Sequence, residues 1–181
     1  MDLKKLITFL FVINITLLSA KDTTTMTEKQ VFPKLKAETL SGVDMTFPDD
    51  LTGKATIILL AFKRETQKVI DSWLKPFIKE FEDNDEVQFF EIPMLSRYWI
   101  VMSPIIDGGM RSGILKQNHK NVATFYGDVD KYCKLLSIED KSDGYVFLLD
   151  SEGVIQWRDN GFATEQKLNQ LFEQTRKLTN K

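Results

Sequence analysis

The chain has 181 residues, enough for one domain with a substantial core and too few for two ordinary ones. Apolar residues make up 43% and charged residues 28%, a globular balance, and a net charge of −2 provides no whole-chain basic footprint for nucleic acid. One cysteine excludes an internal disulfide or a thiolate zinc cluster, one histidine leaves little for metal ligation, and no Gly-rich phosphate loop occurs.

Residues 1–20 read MDLKKLITFLFVINITLLSA. Lys4 and Lys5 precede an apolar run from Leu6 to Leu18, and small Ser19 and Ala20 follow. That order predicts a secretory signal peptide cleaved after Ala20, because the run is shorter than the roughly 20 residues a spanning helix needs. The expected product is exported to the periplasm or the extracellular space; an uncleaved N-terminal anchor is the other reading. Residues 21–30 (KDTTTMTEKQ) are polar and lack apolar periodicity, so they read as a flexible tether.

From Val31 onward the pattern becomes regular. LKAETL and VDMTF flank Ser41-Gly42, a two-residue connection suited to a hairpin, and Val43, Met45 and Phe47 alternate with polar residues. Turn residues from Pro48 to Lys54 lead into ATIILLAF, a run expected as a central strand over 55–62 covered on both faces. Ile70, Trp73, Leu74, Phe77, Ile78 and Phe81 then form one helical stripe, with Pro76 inside it predicted to kink or weaken the helix. VQFFEI is the next strand, and strand, helix, strand at this spacing predicts a parallel pair.

Residues 93–121 combine an apolar stretch, the breakers Gly108, Gly109 and Gly113, and polar KQNHKN, which reads as one short helix and a mobile loop. VATFY follows as a short strand, and Val129, Tyr132, Cys133 and Leu136 share one helical face. YVFLLD and VIQWRD form an antiparallel hairpin turning at Ser151 to Gly153. Thr164 caps a closing helix that has Glu165 in its first turn and buries Leu168, Leu171, Phe172 and Leu178.

This order resembles the thioredoxin fold in its exported thiol-oxidoreductase and peroxiredoxin-like variants. The expectation is a single α/β domain over 31–178, a central mixed sheet flanked by helices with an extra N-terminal hairpin. That fold keeps its thiol chemistry at the loop after the central strand, where a helix N-terminus lowers a cysteine's pKa. Here the loop reads FKRETQKVI, with Thr66 and Val69 near the places of the two cysteines and Gly144 near the place of the family's cis proline. NVATFYGDVDKYCKLLSIEDKSDGYVFLLDSEGVIQWRDNGFAT, with AFKR and SWLKPF, is similar to the mitochondrial ATP-synthase assembly factors. The likeness rests on Arg64, Trp73, Pro76, Phe77, His119, Tyr126-Gly127, Gly144-Tyr145, Phe147-Leu148, Asp150, Trp157 and Gly161. The resemblance implies a thioredoxin-like domain without a thiol pair, and a protein partner, a membrane protein being one candidate.

Two functions compete. One is a non-catalytic binding or assembly protein with no catalytic residue, no cofactor and no metal, contacting its partner through Arg64, Glu65, Thr66, Gly144 and Tyr145. In that reading Arg64 holds an anionic group at the helix start, Gly144 lets a partner's main chain approach, and the Gly108-Gly109 insertion closes as a lid. The other is a degenerate peroxiredoxin or thiol oxidoreductase working through Cys133, which requires that thiol at a pocket beside a base or arginine. His119 reads most simply as a solvated loop residue. Tyr98 to Met102 with Ile105-Ile106 is either an ordinary core helix, the plainer reading, or an exposed patch for apolar clients.

Overall fold

A computed structural model of the chain describes residues 30–51 and 53–179. The expected signal peptide lies outside the described residues, as does the expected tether except for Gln30. Gln30 belongs to the domain: its carbonyl accepts from the Ile155 amide at 2.8 Å and its side chain donates to the Leu135 carbonyl at 3.0 Å.

Among the described residues, seven strands and four α-helices follow one another, beginning with β1 (Leu35–Thr39), β2 (Asp44–Phe47), β3 (Ala55–Ala61), α1 (Gln67–Glu80) and β4 (Val87–Ser96). Then come α2 (Ser103–Gly113), β5 (Ala123–Gly127), α3 (Val129–Leu135), β6 (Tyr145–Leu149), β7 (Ile155–Asn160) and α4 (Glu165–Thr179). One mixed sheet runs in the order β2-β1-β5-β4-β3-β6-β7. β3 pairs parallel with β4, which pairs parallel with β5, and the other neighbours are antiparallel.

β3 is buried along its whole length, as a strand covered on both faces must be. Ile57, Leu59 and Ala61 face a cluster with Val69, Ile70, Trp73 and Phe77 of α1 and Leu171 of α4. Ile58 and Leu60 point the other way, into a second cluster with Tyr132, Cys133 and Leu136. Period-two alternation thus places α1 and α4 on one face and α3 on the other. Trp73 pins the first layer: its indole N–H donates to the Gly161 carbonyl at 2.6 Å, and its ring meets Trp157 edge-on at 5.7 Å.

The N-terminal hairpin, the parallel β3–β4 pair and the final hairpin stand where the sequence places them. Gly153 turns the last hairpin at φ 78°, and a Cβ there would come within 2.5 Å of Pro48, so only glycine satisfies both demands. Thr164 caps α4, its hydroxyl accepting from the Lys167 amide at 3.3 Å.

Pro76 lies inside α1, which continues to Glu80. Two expectations need correction. β4 continues through Pro93 to Ser96; Pro93 falls where pairing passes from β3 to β5, so its missing N–H interrupts no continuous ladder. Residues 97–121 are not a short helix plus a loop: a 3-10 helix Arg97–Met102 runs into α2, and a second 3-10 segment Lys116–Asn121 follows. All three glycines lie inside α2, whose flank is tied to the domain by Tyr126 Oη donating to Asp107 at 2.9 Å and Arg111 Nε donating to the Leu40 carbonyl at 2.7 Å. Those ties offset the helix-weakening effect of glycine, and the segment read as a lid is an ordered helix.

Candidate functional site

The parallel strands β3, β4 and β5 end at Ala61, Ser96 and Gly127, and antiparallel β6 begins at Tyr145 at that same end of the sheet. Open α/β sheets bind ligands at the carboxyl ends of their parallel strands. Two contacts join the two predicted segments there: the Phe62 ring meets Tyr145 edge-on at 6.1 Å, and Gly144 lies against Val69 and Ile70. The Asp140 carboxyl is held below its ordinary range, in smaller part by the charge of Lys63. The larger cause at Asp140 is Ser142, whose hydroxyl and amide donate to it at 2.6 and 2.7 Å.

The five predicted binding residues divide. Arg64 and Glu65 are exposed on a 3-10 turn, Arg64–Thr66, that leads into α1. Thr66 is buried, and its hydroxyl is spent on the Lys63 carbonyl within the same turn. Tyr145 is also buried, its hydroxyl donating to the Asp140 carbonyl at 3.0 Å, which closes the loop before β6. Gly144 is buried as well: a Cβ there would stand 3.0 Å from both Val69 and Ile70. Its bare backbone is filled by α1 from within, which corrects the expectation of an open seat for a partner's main chain.

Cys133 lies in α3 at 5% exposure, packed in the core with Tyr132 and Leu136. Burial pushes its thiol up, with Lys141 opposing and Asp130 reinforcing the shift, so the thiolate is disfavoured. His119 is half-buried and spends Nε2 on the Ile114 carbonyl at 3.0 Å. Among the described residues no cluster of three or more His, Cys, Asp or Glu is placed to hold a metal.

Sequence reasoning passed over Glu91. It sits on β4 opposite Leu59, facing α1, and is 5% exposed. Gln67 Nε2, in the first turn of α1, is 3.5 Å away and also donates to Asp71 at 3.1 Å. Burial raises the Glu91 carboxyl to about 7, Gln67 opposing and the Asp71 charge adding to it. An acid that changes charge near neutrality therefore lies under the helix start that carries the site. Its only signal in the sequence is a carboxylate inside an otherwise apolar strand, VQFFEI.

The profile of the ATP10 protein family matches residues 18–178. The chain belongs to the ATP10 family of ATP-synthase assembly factors. No curated protein matches it. Among solved structures it is similar to a protein described as the thiol:disulfide interchange protein DsbE of Chlorobium tepidum, at 12% identity and TM-score 0.56, covering 83% of this chain and 96% of that one. A protein described as a disulfide isomerase of Bacteroides thetaiotaomicron aligns at 14% identity and TM-score 0.58, covering 84% and 90%. BsSco, of the Sco family of cytochrome c oxidase assembly proteins, aligns at 9% identity and TM-score 0.58, covering 84% and 95%. These likenesses establish the thioredoxin-like fold, and the family is one of assembly factors.

Proposed function

We propose that this ATP10-family protein is an exported, non-catalytic assembly factor that binds a protein subunit of a membrane complex at the carboxyl end of its sheet, with Arg64 and Glu65 as contact residues. One observation carries the reading: the loop where the thioredoxin fold keeps its nucleophile is here a closed 3-10 turn whose Thr66 is buried and self-satisfied. The one cysteine adds to it, because a buried thiol held in its protonated form makes a poor nucleophile. Exposed Arg64 at a helix start suits a carboxylate or other anionic group on the partner. Export rests on the basic start and the short apolar run of the first 20 residues.

A photocrosslinker replacing Glu65 in the full chain, expressed in its own cell, tests the binding reading. A dominant covalent adduct with one membrane protein is expected, lost when Arg64→Ala is added. Peroxide-dependent thiol oxidation by the purified protein, abolished by Cys133→Ser, would overturn the non-catalytic reading. N-terminal sequencing of the product checks export, with Lys21 expected first and an intact leader counting against it.

A further inference from the structure

Between β4 and β5, Arg97 to Asn121 form an insertion of three helical segments, none of which buries a residue fully. Its apolar side chains are turned outward: Tyr98 is 85% exposed, Val101 81% and Ile105 67%, with Trp99, Ile100 and Met102 beside them. The side of α2 that meets the domain is partly polar, through Asp107 on Tyr126 and Arg111 on Leu40. A water-soluble helix normally shows the reverse arrangement. Charge is segregated here as well. The insertion holds Arg97, Arg111, Lys116 and Lys120 against the single acid Asp107, in a chain whose net charge is −2.

We infer that this insertion docks the protein on an anionic phospholipid bilayer. Tyr98, Trp99, Val101 and Ile105 enter the boundary between headgroups and acyl chains, where Tyr and Trp place an apolar ring in lipid and a polar tip in water. Arg97, Lys116 and Lys120 lie against the phosphates, and a net-positive segment of a net-negative chain orients the molecule toward an anionic surface. Among the described residues no helix is long and apolar enough to cross a membrane, so this attachment lies on the surface. Because β3 and β4 are parallel, the insertion leaves the sheet at the end that carries Arg64. The inference does not depend on the proposed assembly function, since it concerns lipid and not a protein partner.

The test uses the full chain with vesicles of phosphatidylcholine and phosphatidylglycerol in equal parts, made with brominated acyl chains that quench tryptophan fluorescence. Trp73 is fully buried and Trp157 packs against it, so Trp99 is the reporter. Quenching is expected, most of it lost in Trp99→Phe. Tyr98→Ser combined with Val101→Ser, both at exposed positions, should weaken the apparent lipid affinity at least about tenfold with the melting temperature unchanged. Pure phosphatidylcholine vesicles should quench less, and raised salt should reduce quenching on the mixed ones. The N-terminal apolar run is present in every arm, so the difference between the parent and the Tyr98 and Val101 double variant, and not the total quenching, reads the insertion. Absence of Trp99 quenching, an unaltered titration in the double variant, or equal quenching on neutral vesicles would overturn the inference. So would protection of Trp99 by an apolar helical peptide in solution with none from vesicles, which would mark the surface as a protein site.

Discussion

α1 and α2 each follow a strand of the parallel β3–β4 pair, and each carries apolar residues at helical spacing, yet they end in opposite situations. α1 buries Val69, Ile70, Trp73 and Phe77 against β3 and β6, while α2 and the 3-10 helix before it bury nothing fully. The difference lies in what stands opposite each. The α1 stripe meets a sheet face lined by Ile57, Leu59, Val146 and Leu148, with α4 closing the far side. α2 meets the domain through polar ties and, among the described residues, buries none of its own fully. An amphipathic pattern therefore states that a helix has an apolar side, and its surroundings decide whether that side becomes core or contact surface.

The widest separation between the two helices should come from their tryptophans. Trp73→Ala removes a fully buried indole and its bond to Gly161, and should cost about 3–5 kcal/mol in chemical denaturation. Trp99→Ala on the exposed insertion should stay within about 0.5 kcal/mol of the parent. A comparable loss at both sites would mean the insertion is a second core.

Next in size is Glu91, held beneath α1. Its carboxyl is raised to about 7, so between about pH 4.5 and 7 the folded chain keeps a proton that the unfolded chain releases. The favourable contribution of that proton is complete below about pH 4.5 and lost as pH rises through about 7. Glu91→Gln should therefore be more stable than the parent at pH 8, by on the order of 3 kcal/mol at most, with the gap closing at acid pH. Urea titrations of both proteins across that range check it, and a gap that widens on acidification would refute the assignment. No matching pH dependence is expected from a substitution at exposed Ile105.

Gly144→Ala sharpens the comparison from the other side of α1. Its added methyl meets Val69 and Ile70 at 3.0 Å, so overpacking should cost about 1–3 kcal/mol, with Gly144→Trp costing more. Gly109→Ala in α2, where a Cβ has open space around it, should instead stabilise by about 0.5–1 kcal/mol by favouring the helix. Smallest in stability is Arg64→Ala, expected within about 0.5 kcal/mol by thermal melting while the crosslinked partner is lost.

Much of the fold was legible in residue order. The all-apolar run at 55–61, the strand VQFFEI and the stripe from Ile70 to Phe81 each carry their own period, and together they specify the parallel pair and the helix that crosses between them. The insertion was not legible in the same way. Three glycines argue against a helix by intrinsic preference, and the bonds of Asp107 and Arg111 that hold it come from β5 and the chain after β1, distant in sequence. At the candidate site, residue order gave a helix start without a cysteine after the central strand, but exposure separated Arg64 and Glu65 from buried Thr66, Gly144 and Tyr145.

By itself the sequence determined the elements outside the insertion and the absence of a thiol pair, because periodicity, turn residues and residue identity are local properties of the chain. The tertiary structure alone decided that Tyr98 to Ile105 faces outward, that Gly144 is filled by α1 and that Glu91 keeps its proton near neutrality. Each of those outcomes depends on which atoms from remote segments arrive at a given point. Burial and electrostatic environment are sums over neighbours in space, and neighbours along the chain supply only part of them.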